Sequence, residues 1–303
     1  MIDFQPFDLR FKADYDRLIQ CGGERGCEYG FVNLFLWGRQ KAAYVSEHLV
    51  FFSQFQRRSV YLFPVGCTDK RPALEAIMHD AKTRGIPCRL TGMNALECQL
   101  LEFLYPGQFH FHPDRDSFDY IYDINDLADL KGKKFQKKRN HLNRFWQNNP
   151  DAAVEPITDE NCREAETLAA TWYAQRLEID PHGDFRMEQT ALARALRYRK
   201  ELGLEGLLLK CNGKTVAMTL GSRLREDTFD IHFEKALDIA DGAYAAINNS
   251  FAKYLREKYP QVQFLDREDD MGLEGLRKAK LSYNPHHMIE KYWACLMEDG
   301  YEY

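Results

Sequence analysis

Acidic and basic side chains fall into two blocks around a glycine in residues 266–285, DREDDMGLEGLRKAKLSYNP. The carboxylates here are Asp266, Glu268, Asp269, Asp270 and Glu274. One of them could cap the helix that follows, but a cap uses a single acid. The others could hold an ammonium group, act as a general base or pair with basic residues elsewhere. A magnesium site is less favoured because no partner ligand is identifiable.

The same stretch ends with Lys280 and Tyr283, which a helical spacing puts on one side of a helix end. Ligands of α/β sheets gather beyond strand ends, and the strand-like QVQFLD (261–266) runs directly into the acidic block. We therefore interpret residues 266–285 as one wall of a site.

A basic segment without any acid occupies residues 131–146. Its cations are Lys131, Lys133, Lys134, Lys137, Lys138, Arg139 and Arg144. Like charges four residues apart destabilise a helix by a few tenths of a kcal/mol per pair. That cost favours an anionic partner, such as a phosphate, a nucleic-acid backbone or a lipid headgroup. The alternative is a solvated helix whose charge is neutralised by acids elsewhere in the fold.

Gly242 and Ala243 open a predicted helix after a strand that ends near Glu234. Small residues at such a place let an anion approach free backbone N–H groups, and an ordinary helix start is the competing interpretation. His232 and Glu234 are expected on one face of that strand. A general-base role is open for them, although a satisfied, half-buried pair is favoured.

The predicted order of strands and helices indicates how these residues are distributed over the fold. Strands at 42–45, 49–55 and 59–63 form an antiparallel meander, followed by helices at 71–83 and 94–105. The second half has the same order, with a hairpin turn at Asn212-Gly213, a helix at 242–258 and a last strand at 286–296. We expect two domains, residues 1–125 and 126–303, the second beginning with a helical segment at 126–150.

Composition sets the outer limits. The 303 residues carry a formal net charge of −5, so bulk charge does not favour polyanion binding. The acidic N-terminus resembles no secretion signal and no apolar run could span a bilayer, which favours a cytoplasmic protein. Eight scattered cysteines without a C-x-x-C pair predict reduced, mostly buried thiols, and Cys21 and Cys27 could meet in space. No spacing predicts a metal site.

Four segments resemble a bacterial family of unknown function that is similar to the C-terminal catalytic domain of phosphatidylglycerol lysyltransferase. They are GCEYGFVNLFLW, FDYIYDINDLADLKGKKFQKKRNHLNRF, FEKALDIADGAYAAINNSFAKYL and REDDMGLEGLRKAKLSYNPHHMIEKY. The resemblance implies an α/β (α+β) fold of two tandem GNAT-like domains, each a mixed, mostly antiparallel sheet flanked by helices. It extends to Fem-type transferases, which take an amino acid from aminoacyl-tRNA.

Those relatives have a lysine, an aromatic residue and a proline near the active site, and Lys280, Tyr283 and Pro285 look like that element. The resemblance implies that Lys280 assists the donor carbonyl or phosphate. It also implies that Asp269 or Asp270 orients the amine or accepts its proton. The candidate donor-binding residues are Gly242, Ala243, Lys134, Lys137, Lys138, Arg139 and Arg277.

We therefore expect an acyltransferase that moves an aminoacyl group from aminoacyl-tRNA to an amine or hydroxyl. No cofactor is certain, and the candidate donors are aminoacyl-tRNA and acyl-CoA. The alternatives are an acyl-CoA-dependent N-acyltransferase and a non-catalytic polyanion-binding protein. The expected acceptor is a small molecule, a peptide or a lipid headgroup. The lysyltransferase proper has a large membrane-spanning domain that this chain lacks, so peripheral membrane contact stays open.

Overall fold

Two compact units make up the chain. The computed structural model describes residues 1–20, 24–37, 40–55 and 58–297. The first unit comprises Met1–Asp119, Asp269–Gly272 and the chain from Ile289 onward, and the second comprises Tyr120–Glu268 and Leu273–Met288. Each has its own sheet, helices and apolar core.

The sheet of the first unit has the order β1-β2-β3-β4-β5-β14-β6. Its strands are β1 (Gln5–Pro6), β2 (Lys41–Val45), β3 (His48–Phe55), β4 (Arg58–Leu62), β5 (Arg89–Met93), β6 (Phe109–Pro113) and β14 (Tyr292–Leu296). The helices are α1 (Lys12–Leu18), α2 (Phe31–Leu36), α3 (Arg71–Arg84) and α4 (Ala95–Leu104). All pairings are antiparallel except that of β4 with β5. The predicted meander and both predicted helices are confirmed.

The sheet of the second unit has the order β13-β7-β12-β11-β10-β9-β8. Its strands are β7 (Asp119–Asp123), β8 (Ala153–Pro156), β9 (Glu205–Cys211), β10 (Lys214–Arg223), β11 (Thr228–Ala236), β12 (Phe264–Asp266) and β13 (His287–Ile289). Its helices are α5 (Ile124–Asp129), α6 (Gln136–Asn148), α7 (Cys162–Ile179), α8 (Arg186–Arg197), α9 (Ala243–Lys258) and α10 (Glu274–Leu281). Strands β11 and β12 pair in parallel, whereas β7 with β12, β10 with β11, β9 with β10 and β8 with β9 pair antiparallel. Two mixed, mostly antiparallel sheets flanked by helices therefore match the predicted fold class.

The last predicted strand divides between the two sheets. Residues 286–296 form β13 and β14, and β14 pairs with both β5 and β6 of the first sheet. The sequence predicted two continuous domains, residues 1–125 and 126–303. The structure differs, because the chain returns to the first unit at Ile289 and neither unit is one continuous segment. The apolar pattern of 286–296 indicates a strand but carries no information on which sheet it joins.

Backbone chemistry explains two of the local features. Asn212 and Gly213 both have positive φ, +49° and +70°, as a type I′ hairpin turn requires. The expected helix at 126–150 is instead α5 and α6, because Leu130 and Gly132 also have positive φ and interrupt it. No helix in the described ranges is long and apolar enough to cross a bilayer.

The cysteines follow the expectation of free thiols at most positions. Cys27, Cys88, Cys98, Cys162, Cys211 and Cys295 are free, and four of them are buried. Cys67 is disulfide-bonded, which the expectation of reduced thiols did not foresee. The predicted meeting of Cys21 with Cys27 falls outside the described residues.

Replacing Asn94 tests the start of α4. Its Oδ1 accepts from the Glu97 N–H at 2.9 Å, while the Glu97 carboxylate accepts from the Asn94 N–H at 3.0 Å, which forms a capping box. We expect Asn94→Ala to lower the free energy of unfolding in urea by about 1 kcal/mol. The control Asn143→Ala, on the exposed side of α6, should not lower it, because alanine favours helix. Equal stabilities for the two variants would contradict the capping role.

Candidate functional site

The parallel pairing of β11 with β12 ends early, and charged side chains collect where it stops. Residues 228–230 pair with 264–266, and β11 then continues to Ala236 without β12. Beyond this point Arg267 Nη2 lies 2.9 Å from Glu234 Oε1. Asn248 of α9 donates to Glu234 Oε2 at 3.1 Å. The end of a parallel strand is a common ligand position in α/β proteins.

The Tyr283 ring lies beside two cations of this cluster. Lys138 Nζ is 3.8 Å from the ring centroid, and the Arg267 guanidinium is 5.2 Å from it. Burial raises the pKa of Tyr283 to about 12, so the phenol stays neutral and can donate a hydrogen bond. Burial, together with the nearby Arg267 charge, lowers the pKa of Lys138. We call Lys138, Glu234, Arg267 and Tyr283 the splay cluster, because they collect where β11 continues beyond its pairing with β12.

Lys280 is buried and stabilises the turn that follows β12. Its Nζ donates to the carbonyl oxygens of Arg267 and Glu268 at 2.5 and 3.1 Å, and Tyr122 Oη donates to the Lys280 carbonyl at 2.8 Å. These bonds hold Glu268 at a positive φ of +56°. Lys280 thus lies next to the splay cluster, and its role toward a donor carbonyl or phosphate stays a prediction.

Asp269 and Asp270 belong to the first unit. Asp270 is fully buried, lies 3.3 Å from Arg115 Nη1 and accepts from the Gly272 N–H at 2.9 Å. Asp269 is half-buried and accepts from the Met271 N–H at 3.1 Å. These contacts shape the 269–272 turn, so the predicted role toward an amine rests on the resemblance alone.

The basic segment contains both neutralised and free cations. Lys134 pairs with Asp126 at 2.7 Å, while Arg139 donates to the carbonyls of Leu130 and Gly132 and holds the turn before α6. Lys131 and Arg144 pair with Asp129 and Asp241. Two exposed lysines, Lys133 and Lys137, make no ion pair within the described ranges. Arg277 is half-exposed on α10, one turn before Lys280.

Gly242 and Ala243 face protein at the start of α9. Gly242 has φ +88°, and a Cβ there would lie 3.1 Å from the Phe145 Cβ and 3.3 Å from the His141 carbonyl oxygen. Ala243 is buried in the same core as Phe145. The small residues therefore allow α6 to pack closely on α9, which is a structural reason for them.

A bulge in β11 separates His232 from Glu234. Ile231 pairs with Gly221 and Phe233 with Leu220, so His232 is the extra residue. Glu234 then faces Asn248 of α9, whereas His232 contacts Ser222 and Glu268, at 2.8 and 3.2 Å. The expectation that His232 and Glu234 share a face is wrong, because strict alternation does not survive a bulge.

A second buried group of charges lies in the first unit. Lys291 Nζ is 2.7 Å from Asp119 Oδ1 and 2.6 Å from Glu28 Oε2, and Cys27 Sγ is 3.3 Å from Asp119 Oδ1. Cys27, Glu28 and Asp119 have a ligand set that could hold a metal ion. The Lys291 ammonium already lies between its carboxylates, so this group has its own internal cation.

Comparison with known proteins gives the family. The family model for the C-terminal region of phosphatidylglycerol lysyltransferase matches residues 21–295. The chain belongs to this family. A conserved protein of unknown function from Bacteroides thetaiotaomicron is 39% identical to it, with a TM-score of 0.91 over 98% of this chain and 100% of that one.

More distant relatives are similar in fold. L-PGS from Bacillus licheniformis is 17% identical, with a TM-score of 0.67 over 94% of this chain and 91% of its own. FemX is 10% identical, with a TM-score of 0.63 over 98% of both chains. An uncharacterized protein of Mycoplasmoides gallisepticum is 29% identical over 183 residues, which are 58% of this chain. The chain spans about half the length of that relative, 55%.

These comparisons confirm the resemblance seen in the sequence and the tandem GNAT-like fold. Membership of a transferase family supports an acyltransferase-like activity. Sequence reasoning missed Arg267 as a site residue although it lies inside the acidic block, where a lone arginine beside four carboxylates was the available signal. No sequence pattern near Lys291 indicates its buried ion pair, because its partner Asp119 is 172 residues away in the chain.

Glu28 makes stability depend on pH. Burial raises its pKa from 4.5 to about 7, and the Lys291 ammonium only partly opposes this. Between these values the unfolded chain has lost a proton that the folded chain keeps. The free energy of unfolding should therefore fall as pH rises from 4.5 to 7.

Urea denaturation at pH 5 and pH 7.5 measures this change. Glu28→Gln should flatten the difference, while Glu75→Gln, at an exposed position of α3, should behave like the unchanged protein. A pH dependence that persists in Glu28→Gln would assign it to another group.

Proposed function

We propose that this chain transfers an aminoacyl group from aminoacyl-tRNA to an amine or hydroxyl acceptor. The observation that carries the proposal is the position of α6. The start of α6 brings Lys138 to the splay cluster and exposes Lys137 to solvent, and Lys133 is exposed in the turn just before this helix. Exposed lysines that make no ion pair among the described residues suit a phosphate backbone, and a cation at the start of the neighbouring helix suits the reacting end of that polyanion.

In the proposed reaction the acceptor nitrogen or oxygen attacks the ester carbonyl of the donor. A new bond to the acyl carbon forms, the ester C–O bond breaks, and the acceptor proton passes to the leaving ribose oxygen. Negative charge develops on the carbonyl oxygen, and Lys138, Arg267 and the neutral Tyr283 hydroxyl are its candidate donors. Glu234 positions the Arg267 guanidinium through an ion pair. The Asn248 amide donates a hydrogen bond to the other oxygen of the same carboxylate and so fixes its orientation. Most of the rate gain would come from positioning and electrostatics.

The packing of α9 favours tRNA over acyl-CoA as donor. In the acyl-CoA alternative the start of α9 binds a pyrophosphate, but a Cβ at Gly242 there would already lie 3.1 Å from Phe145 and 3.3 Å from His141, so this side of the helix start faces protein. Asp238, in the preceding loop, adds a negative charge and lies 3.7 Å from Arg176. The family name makes a phosphatidylglycerol headgroup the first acceptor to test, followed by peptides and small amines.

Charge reversal at Lys133, in the turn before α6, and at Lys137 of α6 tests the donor. We expect Lys133→Glu/Lys137→Glu to weaken filter binding of charged bulk tRNA at least tenfold and to reduce the slope of log K against log salt by about 1 to 2. Lys82→Glu/Lys214→Glu reverses two exposed lysines elsewhere and serves as the matched control. Unchanged binding in the Lys133→Glu/Lys137→Glu variant, or displacement of tRNA by acyl-CoA, would move the protein to another class.

Removal of the Lys138 ammonium tests the chemistry. In single-turnover reactions of labelled aminoacyl-tRNA with phosphatidylglycerol vesicles or an amine extract, Lys138→Met should slow acyl transfer by about 100-fold. Its tRNA affinity should change by less than about threefold, because one screened contact is lost. Lys137→Met is the control and should affect affinity only. A purely binding protein would release no label from tRNA with any acceptor.

A further inference from the structure

Three metal-ligating side chains converge on one point of the second unit. His232 Nδ1 lies 3.2 Å from Glu268 Oε1 and 3.5 Å from Asp230 Oδ2. Ligand atoms of all three residues lie within 4.8 Å of one another. They come from two places in the chain, the bulged part of β11 and the turn after β12. This group is separate in its chemistry from the splay cluster, whose carboxylate Glu234 bonds Arg267 and Asn248.

The separations fit a shared ion. Bonds from a divalent metal to imidazole nitrogen and carboxylate oxygen are about 2.0–2.2 Å, so neighbouring ligands are about 3.0–3.5 Å apart in octahedral or tetrahedral geometry. The two measured distances from His232 Nδ1 fall at this spacing. An ion would bind the deprotonated Nδ1 and carboxylate oxygens, because metal ligands coordinate without their protons.

Surrounding residues orient the His232 imidazole and the Glu268 backbone. Ser222 Oγ lies 2.8 Å from His232 Nε2, so the serine can accept the N–H of an imidazole bound through Nδ1. Asp266 Oδ1 accepts from the Glu268 N–H at 2.8 Å, and Lys280 Nζ bonds the Glu268 carbonyl. The Glu268 backbone is thereby held at positive φ, a strained state that is found often at functional sites.

Burial and access also suit an ion. Asp230 and His232 are buried, while the Glu268 side chain is 21% exposed and gives a route from solvent. Buried carboxylates are commonly paired or coordinate metals. The other ligand group, Cys27 with Glu28 and Asp119, has the Lys291 ammonium between its carboxylates and so lacks room for a second cation.

We propose that Asp230, His232 and Glu268 bind a divalent transition-metal ion, with Ser222 as the residue that orients the imidazole. One imidazole with two carboxylates suits Zn²⁺, Mn²⁺ or Fe²⁺ better than Mg²⁺ or Ca²⁺. Three protein ligands leave a position for water or for an oxygen of a bound molecule. The proposal goes beyond aminoacyl transfer, and its test involves neither tRNA nor acceptor.

Titration of chelator-treated protein with ZnCl₂ and MnCl₂ tests the site. By calorimetry we expect one equivalent to bind in the micromolar range or tighter, and the bound ion should raise the melting temperature. Glu268→Gln keeps the shape and hydrogen-bonding capacity of the side chain but should weaken binding by about 10- to 100-fold. Ser222→Ala, which keeps all three ligands, should weaken it by about tenfold.

Two control variants locate the binding. His79→Asn removes an exposed histidine of α3, and Glu28→Gln alters the other ligand group. Both should bind the metal like the unchanged protein, and circular dichroism of all variants checks folding. Absent or millimolar binding to the unchanged protein, or full affinity in Glu268→Gln, would overturn the proposal. Ser222, His232 and Glu268 would then be a hydrogen-bonded chain without an ion.

Discussion

Parallel strands β11 and β12 share only residues 228–230 and 264–266, and the backbone beyond this short ladder has to find other partners. Buried carbonyl groups without donors are costly, so the turn after β12 requires a substitute for the missing strand. The Lys280 ammonium donates to the carbonyls of Arg267 and Glu268, and the Tyr120 N–H also donates to the Glu268 carbonyl. Beyond the paired residues the Arg267 guanidinium lies 2.9 Å from the Glu234 carboxylate of β11. The chemistry of the second unit depends on this early end of the pairing.

Each unit places a cation against carboxylates that are at least partly buried. Arg267 does so for Glu234, and Lys291 does so for Asp119 and Glu28. Taking such charges out of water costs several kcal/mol per ion, and removal of one partner leaves that cost uncompensated. These pairs therefore specify geometry more than they add stability. They hold side chains whose positions no apolar contact could define as narrowly.

Local chemistry in the sequence accounts for much of the fold. Asn212-Gly213 identifies the β9–β10 hairpin, and Asn94 with Glu97 identifies the start of α4. The features that could not be predicted depend on the tertiary fold. A bulge at His232 resets strand alternation, and the pairing of β14 joins residues about 200 positions apart.

The site was foreseen in part. The sequence pattern selected Lys138 and Tyr283 separately, and the fold brings the ammonium within 3.8 Å of the ring centroid. Arg267 was overlooked because its role depends on Glu234, which lies 33 residues earlier on another strand. The pattern of charges in a sequence shows which charged side chains a segment carries. The Arg267–Glu234 ion pair cannot be predicted from it, because the pair depends on how two strands are aligned in the sheet.

The return of β14 to the first sheet has a consequence for synthesis. Strands β5 and β6 each pair with β14, which follows the second unit in the chain. The nascent first unit therefore carries two open strand edges while the whole second unit is being made. Open edges are templates for intermolecular pairing, and those of β5 and β6 are closed only once β14 has been made.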